Sequence, residues 1–142
     1  MTIFDVAAYI LRERGQMTAM KLQKLAYYAQ AWSLVWDDRP LFTEQIQAWA
    51  NGPVAPSLYQ AHKGQFELVD GSIAGDPAAL DHDAVMTVQA VLKNYGDKSS
   101  QWLSDLTHAE NPWVEARQGL PSGHRGDRVI SHAAMAEYYG SL

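Results

Sequence analysis

The sequence predicts a mainly α fold, a single compact helical domain of about six helices with a small two- or three-stranded β element. Three observations predict it. Apolar residues recur with helical period along most of the 142 residues. Residues that favour helix caps stand before these stripes, and glycines or prolines follow them. Strict period-two alternation is confined to one short run, EQIQAW. At 47% hydrophobic, a chain of this length can bury its own core, so one domain over residues 1–142 is expected.

Thr2 with Asp5 fits a capping box that opens a helix to about Arg14, where Gly15 supplies the stop. Thr18 reads as the cap of a second helix, AMKLQKLAYYAQAWSLVW, with Met17 and Leu22 placed as a hydrophobic staple. Leu22, Leu25, Ala26, Ala29, Ser33 and Trp36 form one face, while Tyr27, Tyr28, Trp32, Leu34 and Val35 cover most of the rest. A helix apolar nearly all round belongs at the centre.

Asp37, Asp38 and Pro40 break it, and EQIQAW follows as a short half-buried strand. Asn51, Gly52 and Pro53 should end that strand in a turn, because proline cannot donate to a ladder. Pro56 can open a short helix, PSLYQAHK, closed by Gly64. A second strand over residues 66–69 is expected to pair with EQIQAW. Asp81 precedes a helix to Tyr95, with Val85, Val88, Leu92 and Tyr95 on one stripe. Ser99 or Ser100 starts another around Trp102, Leu103 and Leu106. Asn111 as cap and Pro112 in the first turn open a short helix. Residues 119–127 form a loop, and Ile130 with Ser131 opens the last helix, SHAAMAEYYG.

Composition excludes several functions. With no cysteine, the chain has no disulfide, no thiolate catalysis and no cysteine-held zinc or iron–sulfur site. No run approaches the roughly 18 apolar residues of a membrane span, and the N-terminus lacks the pattern of a signal peptide. A soluble, cytoplasmic protein is expected. A net charge of −5 disfavours nucleic-acid binding. The basic cluster Arg12, Arg14, Lys21 and Lys24, and the later Arg117, Arg125 and Arg128, read as solvated faces.

The five histidines, His62, His82, His108, His124 and His132, are scattered and never take the spacing that puts two metal ligands on one helix face. No cofactor, metal or catalytic residue is expected. In THAENPW, His108 and Glu110 could act as a base and its orienting carboxylate, but the sequence shows no nearby nucleophile. Hydrogen bonding at a helix junction is the preferred reading there. HRGDR could hold an anion through Arg125 and Arg128, although a solvated loop is favoured. The five Trp, seven Tyr and three Phe are the richest resource, since aromatics dominate both cores and interface hot spots. Core packing is the default for Tyr27, Tyr28 and Trp32. Trp49, Pro53, Val54, Pro56 and Tyr59 lie in a stretch without charge, AWANGPVAPSLY, whose prolines lower the entropy lost on binding.

KLQKLAYYAQAW and then IQAWANGPVAPSLY resemble the paired signature of the Panacea antitoxin domain, the family that includes SocA-like and GepA-like phage-associated proteins. THAENPW and ISHAAMAEYYG resemble its two remaining blocks, in order. The resemblance implies a mostly helical antitoxin of a toxin–antitoxin module that neutralises a cognate toxin by direct contact, without catalytic residues. Similar SocA-like proteins act instead as adaptors that deliver the toxin to the ClpXP protease. Other members add a helix-turn-helix DNA-binding domain, for which the blocks here leave no room, although the basic N-terminal cluster keeps transcriptional co-repression as a lesser alternative. The partner-binding residues expected on this reading are Trp49, Asn51, Pro53, Val54, Pro56 and Tyr59, with Tyr28 from the central helix. The middle loop, residues 65–81, is a further place for partner-specific contacts.

Overall fold

The computed structural model describes residues 1–121 and 123–142; Ser122, within the loop expected over residues 119–127, lies outside the described residues. Among them are seven α-helices, a 3-10 turn and two small antiparallel sheets of two strands each. The fold is mainly α, as the periodicity predicts.

Helix α1 (Ile3–Arg14) opens on its capping box. The Asp5 amide donates to Thr2 Oγ1, and the Thr2 amide donates to Asp5 Oδ2. Strand β1 (Met17–Thr18) leads into α2 (Ala19–Trp36), where Thr18 Oγ1 accepts from the Lys21 amide. Helix α2 is the axis of the molecule. It packs on α1 and, further along the chain, on α4 (His82–Tyr95), α5 (Ser100–His108) and α7 (His132–Gly140), so few of its faces reach water. Leu22, Leu25 and Ala29 are wholly enclosed, and Tyr27 and Tyr28 are buried beside them.

The uncharged polar residues Gln23, Gln30 and Ser33 of α2 are buried as well, and each needs a partner. Gln30 Oε1 accepts from the Leu41 amide at 2.7 Å, and its Nε2 donates to Phe42 O at 2.8 Å. Ser33 Oγ donates to Arg39 O at 2.7 Å. These bonds fold the segment after the helix back along it. Two turns earlier, Gln23 Oε1 accepts from the Ala55 amide at 2.9 Å, while Nε2 donates to Ala55 O and to His62 Nε2 at 3.3 and 3.0 Å.

Strands β2 (Gln47–Trp49) and β3 (Gly52–Val54) form a hairpin. Pro53 does not end the first strand in a turn as expected: the turn falls at Ala50 and Asn51, and Pro53 is the middle residue of the returning strand. It stands opposite Ala48, whose amide points the other way and donates to Arg128 O at 2.8 Å, so this pair has no use for a proline N–H. Strand β4 (Glu67–Leu68) pairs with β1, Met17 opposite Leu68, and not with EQIQAW. Residues 128–130 take that place instead: the Ile130 amide donates to Ile46 O at 2.8 Å, and Gln47 bridges Val129. Strands of two or three residues carry too little pattern to choose a partner, so tertiary packing decides.

Helix α3 (Pro56–His62) starts at Pro56 as the sequence indicates. Helix α6 (Asn111–Arg117) is preceded by Glu110 as its cap, where Asn111 was expected. The Glu110 side chain is drawn inward by other partners and makes no capping bond.

Two truncations separate the roles of α2. Leu25→Ala should lower unfolding free energy by about 2–5 kcal/mol through the cavity it leaves. Gln30→Ala should cost about 1–3 kcal/mol by stranding the buried backbone groups of Leu41 and Phe42. Urea unfolding at constant m-value measures both, and a neutral Gln30→Ala would show that the bracket adds nothing.

Candidate functional site

The uncharged stretch of residues 48–59 is built around the hairpin, whose backbone is gripped from one side. Four consecutive carbonyls each accept a bond from a different side chain. Arg117 Nη1 donates to Ala48 O at 3.1 Å, Trp113 Nε1 to Trp49 O at 2.8 Å, His108 Nε2 to Ala50 O at 3.1 Å, and Ser104 Oγ to Asn51 O at 2.9 Å. Ser104 and His108 lie one turn apart on α5, and Trp113 and Arg117 one turn apart on α6, so each pair shares a face. A carbonyl can only accept, so His108 holds its proton on Nε2. Burial lowers the pKa of His108, and the nearby Lys24 charge lowers it further, against the hydrogen bond to Ala50 that raises it. Its ring lies 4.2 Å from that of Trp113.

With the backbone occupied in this way, the side chains of Trp49 and Tyr59 are left half-buried, edge to face at 5.1 Å. Trp49 Nε1 donates to Gln47 Oε1 at 2.8 Å, and the Arg125 guanidinium lies 5.8 Å from the Trp49 ring. Asn51 is exposed at the hairpin tip, and Pro56 is half-buried at the start of α3. These four expected contact residues share one neighbourhood. Pro53, Val54 and Tyr28 do not belong to it as contacts, because all three are buried. The first two are packed between the hairpin and the helices beneath it.

Tyr28 is instead part of an internal network. Its hydroxyl donates to Glu110 Oε1 at 2.7 Å, and Tyr139 donates to the same oxygen at 2.8 Å. Tyr27 and Tyr139 hydroxyls lie 2.9 Å apart, and Tyr28 stacks on Tyr95 at 4.2 Å. Burial pushes the three phenols Tyr27, Tyr28 and Tyr139 up, which keeps them as donors. Burial also raises the Glu110 pKa, against the two tyrosine bonds that lower it. His108 and Glu110 therefore serve different partners: one fixes the hairpin, and the other joins α2, α6 and α7. Neither orients the other. Among the described residues no group of three His, Asp or Glu is placed to hold a metal, and no helix is long and apolar enough to cross a membrane.

The basic N-terminal cluster also divides. Arg14 pairs with Asp97 at 2.8 Å and donates to Leu92 O, while Lys24 is only 1% exposed and is no part of a solvated face. Composition and periodicity did not single out the exposed aromatics Trp36, Phe66 and Trp102, at 50%, 77% and 44% exposure. Trp36 stacks on Trp32 at 5.0 Å, and Phe66 lies in the middle loop. For Trp36 the signal was position, since the last turn of a central helix is where its enclosure ends.

The arrangement is that of a small helical domain in which a clamped hairpin presents aromatic side chains. The family model described as "Antitoxin SocA-like, Panacea domain" matches residues 22–114, and the chain belongs to this family. The match takes in α2 from Leu22 onward, the hairpin and the THAENPW block, while the block at residues 130–140 falls beyond it. The chain is similar to Antitoxin SocA of Caulobacter vibrioides (strain NA1000 / CB15N), with 30% identity over 106 residues, which cover 66% of this chain and 56% of that protein. The chain thus spans little more than half the length of this curated relative. No solved structure matches it.

The site's titratable groups set a pH response. Burial lowers the pKa of His62 and His108 below the ordinary 6.5, so the unfolded chain takes up these protons first on acidification. Their contribution to stability is complete above about pH 6.5 and is lost as pH falls through their folded values. Glu110, raised above 4.5, acts in the opposite sense: its contribution is complete below 4.5 and is lost as pH rises through its folded value. Chemical unfolding between pH 7 and 5 should show stability falling. Glu110→Gln should fall more steeply, because the opposing gain is removed, and His108→Gln should fall less.

Proposed function

We propose that the chain is an antitoxin that neutralises a cognate toxin, encoded beside it, by direct protein–protein contact in the cytoplasm. Family membership gives the class. The observation that carries the mechanism is the clamped hairpin: four side-chain bonds hold residues 48–51, and the half-buried Trp49 and Tyr59 rings stand on that fixed backbone. A partner meeting such a surface does not have to order it, so little of the binding free energy is lost to conformational entropy. Aromatic anchors on a rigid base are the usual make-up of an interface hot spot. Asn51 and Pro56 extend the surface, and Trp36 offers an exposed aromatic at the end of α2 in place of Tyr28. Binding there would occlude the toxin's active site or hold the toxin in an inert complex.

Co-expression with the product of the neighbouring gene, followed by pull-down and growth rescue, tests the reading. A neighbour that is harmless alone and does not bind would sink it. A toxin whose level falls while each remaining molecule stays active would assign the chain to protease delivery instead. Trp49→Ala and Tyr59→Ala should weaken toxin binding by about 2 kcal/mol or more, roughly thirtyfold, with little change in melting temperature. Leu25→Ala should show the reverse pattern, and equal destabilisation by all three would make the aromatic pair scaffold.

A further inference from the structure

Beside the hairpin tip lies a surface pocket of about 430 Å³, walled by α2, α5 and the tip itself. Lys24 forms its buried wall; Asn51, Ser100, Gln101, Ser104 and His108 complete the polar part of its lining. The lysine is 1% exposed, yet among the described residues no carboxylate pairs with it and no group accepts a hydrogen bond from it. Desolvation alone lowers its pKa, to about 8, so it remains largely a cation at neutral pH. The ammonium is not among the fully enclosed side-chain atoms that lack a partner, so it reaches the pocket. With so little solvent and no counter-charge it is nonetheless costly, and proteins generally retain such a group only where something offsets that cost.

Two features hold the lysine in place. Its stem crosses directly under Gly52, where an added Cβ would come within 2.5 Å of Lys24 Cε and 3.2 Å of Nζ. Gly52, at φ 122°, therefore leaves the passage that a side chain would fill. The pocket also receives the first turn of α5, a nine-residue helix. Ser99 there accepts from the Trp102 and Leu103 amides, which leaves those of Ser100 and Gln101 without an intrahelical acceptor. The helix dipole adds partial positive charge at that end. Of the groups acting on His108, burial lowers its pKa most and the Lys24 and Arg117 charges lower it further, while the hydrogen bond to Ala50 and the Asp105 charge raise it.

We propose that Lys24 and the first turn of α5 form a carboxylate-binding pocket, and that the carboxylate is an acidic side chain of the bound toxin. The identity of the donor rests on the antitoxin reading above; the pocket's chemistry does not. A monoanion is the matched ligand. One ammonium balances one charge, and among the residues that line the pocket there is no arginine to fork onto a phosphate and no glycine-rich loop to cradle one. The pocket adjoins Asn51, so a partner seated on the hairpin could extend an acidic residue into it.

Lys24→Met keeps the length of the side chain and removes its charge. The variant should melt at the same temperature as the parent or higher, because an unpaired buried charge is gone, while affinity for the toxin falls at least tenfold. A second arm needs no toxin. Sodium acetate titrated against sodium chloride at equal ionic strength should shift the Lys24 ¹³Cε resonance saturably in the parent and leave Lys24→Met without a corresponding response around His108. Absence of an acetate-specific shift overturns the pocket. An acetate shift with unchanged toxin affinity in Lys24→Met overturns the toxin side chain as donor and leaves free monocarboxylates as ligands. Failure of the parent to bind the neighbouring gene product overturns the antitoxin reading, and the acetate arm then still decides the pocket.

Discussion

The structure depends on the need of the uncharged polar groups that α2 carries into the core to find a partner there. Apolar burial around Leu22, Leu25 and Ala29 drives the helices together but does not say where the connecting segments should lie. Gln23, Gln30 and Ser33 do. Each reaches sideways from the helix to backbone groups of another segment, at Ala55, at Leu41 and Phe42, and at Arg39. Because a buried amide left without a partner is costly, these segments have one placement that satisfies the helix. The hairpin and the return loop are in this sense positioned by the side chains of α2.

A second tier of contacts follows from the first. The hairpin, located by Gln23 through Ala55, offers its carbonyls to α5 and α6, and the tyrosine and Glu110 network ties the start of α6 to α2 and α7. Sequence blocks that look independent, AWANGPVAP and THAENPW, are two halves of one interface within the chain. His108 and Trp113 stand in the second block as donors to the backbone of the first. This is why a histidine and a glutamate two residues apart, which look like a catalytic pair, face different neighbours.

What was legible in the sequence was local. Thr2 with Asp5, Thr18, Pro56 and Ser131 mark helix starts by chemistry that acts within one turn, and α2 declared its central position by having apolar residues on nearly every face. What was illegible depended on residues far apart in the chain. The partner of a three-residue strand, the ladder position of Pro53 and the inward turn of Tyr28 and Val54 are all set by elements distant in the chain. Lys24 is the sharpest case. A lysine in a helix normally reads as solvated, and only its own burial beneath the hairpin, where a glycine at position 52 leaves room for its stem, shows otherwise. The side-chain neighbourhood of Trp49 and Tyr59 was foreseen as a stretch of chain; its separation into presented rings and a packed Pro53 and Val54 was not.

The placement of β3 bears on how any partner can approach. A short sheet usually leaves its outermost strand available, and an incoming chain can add to it by backbone pairing. Here Gly52, Pro53 and Val54 are enclosed against α2 and α5, and the middle residue of the strand is an imino acid. On the other side of the hairpin, β2 is already engaged by residues 128–130. Strand addition is thus closed at both edges of this sheet. Recognition at the hairpin must pass through side chains, a mode in which a few substitutions can change the partner while the backbone stays as it is.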